Sequence, residues 1–89
     1  VVLPVWRRVS GPVPVGRSLT LGGTTDVTCN SLNVTVQSPT GQTFTANSSG
    51  RSVGKSVTLT SAGLYTITVT AQKAASSTPV VYVYTVRAY

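Results

Sequence analysis

Apolar and polar residues alternate with a period of two in several short stretches of the chain. The clearest stretch is residues 64–71, where four apolar residues alternate with three threonines. Residues 32–37 repeat the pattern, with Leu32, Val34 and Val36 on one face. Because successive side chains of a strand point to opposite faces of a sheet, each stretch predicts a strand with one buried face.

Proline and glycine punctuate the rest of the chain and predict turns between further strands. We expect those strands at residues 5–9, 17–21, 42–46, 56–60 and 79–89. Gly22-Gly23 is expected to break the second strand, residues 47–54 to form a loop, and the Pro-containing residues 11–16 to form an extended edge segment. Residues 24–31 have two interpretations, a continuation of the second strand past a bulge at the glycines or a loop.

About seven strands with frequent turn signals are typical of a β-sandwich. The composition agrees, since Val with 16 residues and Thr with 15 are the commonest types and both favour strands, whereas Glu and Met are absent. A chain of 89 residues fits one domain. We therefore expect residues 1–89 to form a single all-β domain.

Residues 59–67, with the sequence LTSAGLYTI, resemble the approach to the penultimate strand of immunoglobulin-like domains. Leu59, Gly63 and Tyr65 stand at the positions where that family carries a leucine, a small residue or glycine, and a tyrosine. The resemblance implies a tyrosine corner, in which the Tyr65 hydroxyl bonds to the backbone upstream. It also implies an immunoglobulin-like antiparallel β-sandwich of about seven strands.

The two positions of the family's disulfide hold Leu21 and Ile67 here, and Cys29 is the chain's one cysteine. The chain thus resembles the disulfide-free immunoglobulin-like modules of phage virions and bacterial surface proteins. Polycystic-kidney-type and fibronectin-type sandwiches share much of this pattern, so the subfamily stays open.

Side chains for catalysis and metal binding are nearly absent from the sequence. There is no His, and Asp26 is the single carboxylate, so paired acid–base chemistry has no groups to use. Cys29 has no histidine to activate it as a nucleophile. Zinc and calcium sites need several ligands of these types. We expect neither an enzyme nor a metal or cofactor site.

The sequence contains seven cationic residues and one acidic residue, which give a net charge of +6. This imbalance favours an anionic partner, although solubility alone is the alternative explanation. The candidate partner contacts are Trp6, Arg7, Arg8, Arg17, Arg51, Lys55 and Arg87. The cations do not interleave with aromatic residues, which disfavours nucleic-acid binding. Stacking of sugar rings on Trp6, Tyr82, Tyr84 or Tyr89 stays open beside ordinary packing.

Residues 1–6 form an apolar arm that either completes the first strand or adds to the sheet edge of a partner. The sequence contains no recognisable signal peptide or membrane span. The lack of Met fits both removal of an initiator and excision from a longer chain.

We therefore expect a non-enzymatic structural or interaction module whose partner is a protein, within a larger assembly. The contact would involve an acidic surface or an exposed sheet edge. Homo-oligomerisation stays open. The first hypothesis is a virion accessory protein, either a capsid decoration protein or a tail-associated domain. The alternative is a spacer, adhesion or glycan-binding module of a secreted or surface-anchored bacterial protein, located outside the cell or at its surface.

Overall fold

A computed structural model of the protein describes residues 12–89 and, for the backbone, Pro4–Val5. This part of the chain is all β, as predicted, and contains five strands. They are β1 (Pro4–Val5), β2 (Ser18–Gln37), β3 (Thr43–Thr58), β4 (Gly63–Gln72) and β5 (Val80–Ala88). All pairings between them are antiparallel, in the order β1-β2-β4-β5, with β3 also paired to β2.

Strand β2 is too long to be straight. Its 20 residues, at about 3.3 Å each, would extend over about 60 Å, whereas the longest dimension of the molecule is 40 Å. Its register with β3 shifts between Thr24 and Cys29 and again between Cys29 and Leu32. We infer that β2 bends between Thr24 and Leu32, where β-bulge-like irregularities interrupt the ladder.

The bend divides the molecule into two regions. In the four-stranded region, residues 31–37 of β2 lie between residues 43–48 of β3 and strand β4, and β5 lies beyond β4. In the ribbon, residues 18–24 of β2 pair with residues 52–58 of β3. The short β1 joins the ribbon at Thr24 and Thr25.

Two of the predicted interruptions are wrong. Gly22-Gly23 does not break β2, and residues 47–54 belong to β3 instead of forming a loop. Gly22 pairs with Gly54 so closely that a Cβ on Gly22 would lie 2.1 Å from the Val53 carbonyl oxygen. The glycines therefore permit a tight ladder here. Of the two interpretations of residues 24–31, continuation of the strand is correct, but the irregularity lies after Thr24 and not at the glycines.

These continuations explain why the described residues form five strands where about seven were predicted. The first predicted strand falls mostly outside the described residues, since only its residue Val5 is covered, in β1. Residues 11–16 were predicted to be an extended edge segment, and within them Val13 forms a parallel bridge with Ala88 at the end of β5.

Both regions contribute to one hydrophobic core. Leu21 and Val57 of the ribbon belong to the same buried cluster as Val34 and Ile67 of the four-stranded region. Alternation places nearly all of the residues predicted to face inward correctly. In the stretch 17–21, Leu21 is buried and Leu19 is half-buried. In the stretches 32–37, 56–60 and 64–71 the inward residues are all buried: Leu32, Val34, Val36, Val57, Leu59, Tyr65, Ile67, Val69 and Ala71. Regular alternation was therefore a reliable guide to the core.

Candidate functional site

The four-stranded region turns one sheet face away from the core. Polar residues cover most of this outer face, and Thr35 of β2 and Thr68 of β4 are typical neighbours in it. On β5 the outer face becomes apolar, because the residues that pair with Thr68 and Thr70 of β4 are Val83 and Val81. Val83 is 60% exposed and Val81 is 55% exposed. Apolar side chains are thus presented to solvent at the β5 edge.

One side of β5 is partly covered by the segment that precedes β2. The Val13 N–H donates to the Arg87 carbonyl at 2.9 Å, and the Tyr89 N–H donates to the Val13 carbonyl at 3.0 Å. Farther along, the Val15 N–H donates to the Tyr89 carbonyl at 2.7 Å. The end of β5 is therefore paired on the side that faces away from β4.

The remainder of that side is open in the described part of the chain. Backbone N–H and C=O groups of a strand alternate between its two sides, so the bonds of Arg87 and Tyr89 fix the side for the other odd-numbered residues. Val81, Val83 and Thr85 direct their N–H and C=O groups away from β4, and among the described residues no strand pairs with them there. We call these three residues the open edge.

The opposite border of the four-stranded region, formed by β3, has a different character. Its outer-face residues Thr43, Thr45 and Asn47 are all polar and exposed. Covering them would remove little apolar surface from water, so a partner docked at the β3 border would gain less hydrophobic free energy than one docked at β5.

The residues assigned to the tyrosine corner lie around the turn between β3 and β4. Leu59 and Tyr65 are buried, and the Tyr65 hydroxyl accepts a hydrogen bond from the Ser61 N–H and donates one to the Ser61 carbonyl, both at 3.1 Å. Gly63 has a φ of 131°, and a Cβ there would lie 2.9 Å from Pro39 Cβ. These contacts fix the turn between β3 and β4.

The predicted cationic contacts are distributed over several elements. Arg17, Arg51 and Arg87 are exposed, and Lys55 is half-buried. The Arg17 carbonyl accepts a bond from the Leu59 N–H just before the start of β2. Arg51 and Lys55 lie on β3, and Arg87 lies near the end of β5. Trp6, Arg7 and Arg8 lie outside the described residues.

Tyr84 has a role that sequence analysis missed. Its hydroxyl donates to the Gly22 carbonyl at 2.9 Å and accepts from the Gly22 N–H at 3.0 Å. The hydroxyl therefore takes the place of a strand partner for Gly22 and connects β5 to the ribbon. Burial raises the pKa of Tyr84, and the hydrogen bond from Gly22 opposes this in part. No local sequence signal connects two residues so far apart.

The Tyr84 contact also bears on the proposed stacking platform for sugars. The Tyr84 hydroxyl is hydrogen-bonded to Gly22. Tyr82 and Tyr84 lie on the same face of β5, where they pair across the ladder with Val69 and Ile67 of β4. Tyr89, at 66% exposed, is the most accessible of these tyrosines.

Cys29 and a cavity beside the ribbon are further candidates for a site in the described part of the chain. No group of three or more His, Cys, Asp or Glu occurs among the described residues. The Cys29 thiol is buried in the bend of β2, 3.8 Å from the Thr25 hydroxyl oxygen and 3.7 Å from the Val27 carbonyl oxygen. A cavity of about 210 Å³ beside Gly22 and Gly54 is lined by residues without an ionisable group. Nor does any helix in this part of the chain have the length and apolarity to cross a membrane.

Comparison with models of known protein families gave no match, and no curated protein was found with significant similarity to the chain. A functional interpretation therefore depends on the fold and the surface described above.

Proposed function

We propose that this chain is an immunoglobulin-like structural module without enzymatic activity, which attaches to the acidic surface of a large protein assembly. The observation that carries the proposal is the charge imbalance of an otherwise apolar and hydroxyl-rich β domain, with seven cations and one acid. Asp26 can neutralise at most one of those cations, so the domain keeps a strong positive field.

Several features support an immunoglobulin-like sandwich. Divided at the bend, the two long strands β2 and β3 give four segments, which together with β1, β4 and β5 make seven. The hydrogen bonds between Tyr84 and Gly22 hold the ribbon against β5, as expected for two packed layers. The bonds of the Tyr65 hydroxyl to Ser61 are those expected of a tyrosine corner.

The distribution of the cations favours a broad partner over a small ligand. Arg17, Arg51 and Arg87 are exposed and lie on separate elements, so a compact anion could contact few of them at a time. An extended acidic protein surface could contact several. We assign the module to a virion, as a capsid decoration or tail-associated protein, because a protein shell provides such a surface in many copies.

Binding to purified phage particles, measured by co-sedimentation, tests the proposal. We expect the bound fraction to fall as NaCl is raised, because exposed charge pairs are screened by salt. The triple variant R17Q/R51Q/R87Q should bind roughly tenfold more weakly, since each exposed pair contributes up to about 1 kcal/mol. A control with T20Q and T43Q, both at exposed neutral positions, should bind as the native chain does. Binding that changes neither with the NaCl concentration nor in the triple variant would refute the proposal.

The exposure of Tyr89 favours one alternative, a spacer, adhesion or glycan-binding module at a bacterial surface. An exposed aromatic ring can stack on a sugar. Tight binding to an insoluble polysaccharide that is lost in Y89A, together with no binding to particles, would favour that alternative.

A further inference from the structure

We propose that the open edge of β5 pairs antiparallel with the same edge of a second copy, about a two-fold axis at Val83, to form a weak symmetric dimer. This inference is independent of attachment to an acidic surface. It follows from the direction of the backbone groups in β5, the lack of charge in this stretch, and the residues at its two ends.

The register follows from symmetry. A two-fold axis at Val83 places Val83 opposite Val83 of the other copy, and Val81 opposite Thr85. Each of these residues directs both its N–H and its C=O toward the open side, so all three pairs are of the type that exchanges two hydrogen bonds. Because a two-fold interface uses the same surface from both copies, every donor meets an acceptor.

The ends of the segment fit the same register. Arg87 would be opposite Pro79 of the second copy, and Pro79 has no N–H to donate. Beyond that point the side of β5 is already paired with Val13 and Val15. The pairing therefore includes residues 81–85 and ends where the available backbone groups end.

The side chains favour a second copy over a charged strand as the partner. Residues 80–86 carry no charge, although the chain as a whole has a net charge of +6. An acidic strand would find no cation opposite it along this stretch. A second copy brings the exposed Val83 against another Val83 and removes apolar surface from water. No cation of either copy lies directly opposite another in this register.

The dimer has a salt dependence opposite to that of binding to an acidic surface. Two chains of net charge +6 repel each other, and salt screens that repulsion, so dimerisation should strengthen as NaCl is raised. Attachment to acidic particles should weaken under the same change. With three paired residues per copy, the interface lies at the small, weakly bound end of protein interfaces, and the experiment needs high protein concentrations.

Amide hydrogen exchange of the full chain, measured by NMR at increasing protein concentration in 50 and 500 mM NaCl, tests the proposal. The amides of Val81, Val83 and Thr85 should exchange more slowly as concentration rises, most clearly at high salt. The amides of Tyr82 and Tyr84, which point toward β4, should be protected at every concentration and serve as the internal control.

A matched pair of variants tests the axis by sedimentation. V83K places two ammonium groups opposite each other, and we expect at least about tenfold weaker dimerisation. T43K adds the same charge at an exposed site on the opposite border and should dimerise as the native chain does.

Three results would each overturn the proposal. One is a monomer at high concentration and high salt. Another is association that V83K leaves unchanged, which would locate the interface elsewhere. The third is protection of Val81, Val83 and Thr85 at all concentrations, which would mean that this edge is covered within a single chain. None of these bears on particle binding, so the two proposals can fail separately.

Discussion

The two ends of strand β2 have different environments, although they belong to one continuous strand. Residues 31–37 have a strand on each side, β3 and β4. Residues 18–24 have β3 on one side, while the other side is occupied, among the described residues, by β1 at Thr24 and by the Tyr84 hydroxyl at Gly22. The four-stranded region is stabilised by a repeated ladder, whereas the ribbon depends on a few individual contacts.

This difference concerns backbone pairing and not burial. Leu21 in the ribbon is as buried as Ile67 in the four-stranded region, with exposures of 1% and 0%. A region can therefore belong fully to the core while its backbone is attached at few points. The following predictions use this contrast.

The largest effect is expected from truncating the core on either side of the bend. Leu21→Ala and Ile67→Ala should each lower the free energy of unfolding by about 4 kcal/mol, because both remove a fully buried side chain and leave a cavity. Urea denaturation measures both values. A cost below about 1 kcal/mol for Leu21→Ala alone would show that the ribbon does not share the core.

Gly22→Ala should cost about 3 kcal/mol, because the new Cβ would lie 2.1 Å from the Val53 carbonyl oxygen and the backbone would have to shift. Gly54→Ala is the matched control across the same ladder, since its Cβ would meet the Thr20 methyl carbon at 3.0 Å, and its nearest backbone atom, the Leu21 carbonyl oxygen, lies at an ordinary contact distance of 3.7 Å. Thermal denaturation of both variants checks this order. Equal losses would contradict the close approach at Gly22.

Tyr84→Phe should cost about 2 kcal/mol, because it leaves the Gly22 N–H and C=O without the hydroxyl that pairs with them. Tyr65→Phe removes a comparable pair of bonds to Ser61 and should have a similar cost. Hydrogen exchange separates the two variants. Tyr84→Phe should speed exchange chiefly in the ribbon, and a uniform change in both regions would argue against its local role.

The smallest effect concerns alkaline pH. Since the pKa of Tyr84 is raised above its ordinary value of 10.0, the folded state retains the proton more strongly than the unfolded state does. This contribution to stability is fully present below pH 10 and is lost as pH rises through the raised pKa. Between pH 8 and pH 11, the free energy of unfolding should fall less in Tyr84→Phe than in the native chain, as measured by denaturation at both pH values. An identical difference would contradict the assignment to Tyr84.

The sequence predicted the four-stranded region better than the ribbon, for a physical reason. Strand β4 has a regular alternation, so its buried residues followed from period alone and its bounds were predicted to within one residue at each end. Residues 47–54 are polar except for Val53 and contain two glycines, a composition typical of loops, yet pairing with β2 keeps them extended. Gly22 likewise suggests a strand break in the sequence, whereas the structure shows that a glycine is needed there because the Val53 backbone lies so close.

The candidate site divides in the same way. The exposure of Arg17, Arg51 and Arg87 could be expected from residue type, because long charged side chains are seldom buried. The open edge could not be predicted, because which strand ends a sheet depends on long-range pairing. The contact of Tyr84 with Gly22 spans 62 residues and left no local pattern.

The bend of β2 also has a consequence for the order of folding. The five residues between Gln37 and Thr43 form a tight turn, in which the Ser38 N–H donates to the Gln42 carbonyl at 2.8 Å. This turn brings β2 and β3 together with little loss of loop-closure entropy, so pairing can start there and proceed away from the turn. To reach the ribbon, it must pass the irregular register between Leu32 and Thr24. We expect the transition state to contain the part of the hairpin next to the turn, with the ribbon joining afterwards as distant contacts form. Mutations in the ribbon would then chiefly speed unfolding, and those beside the turn would slow folding.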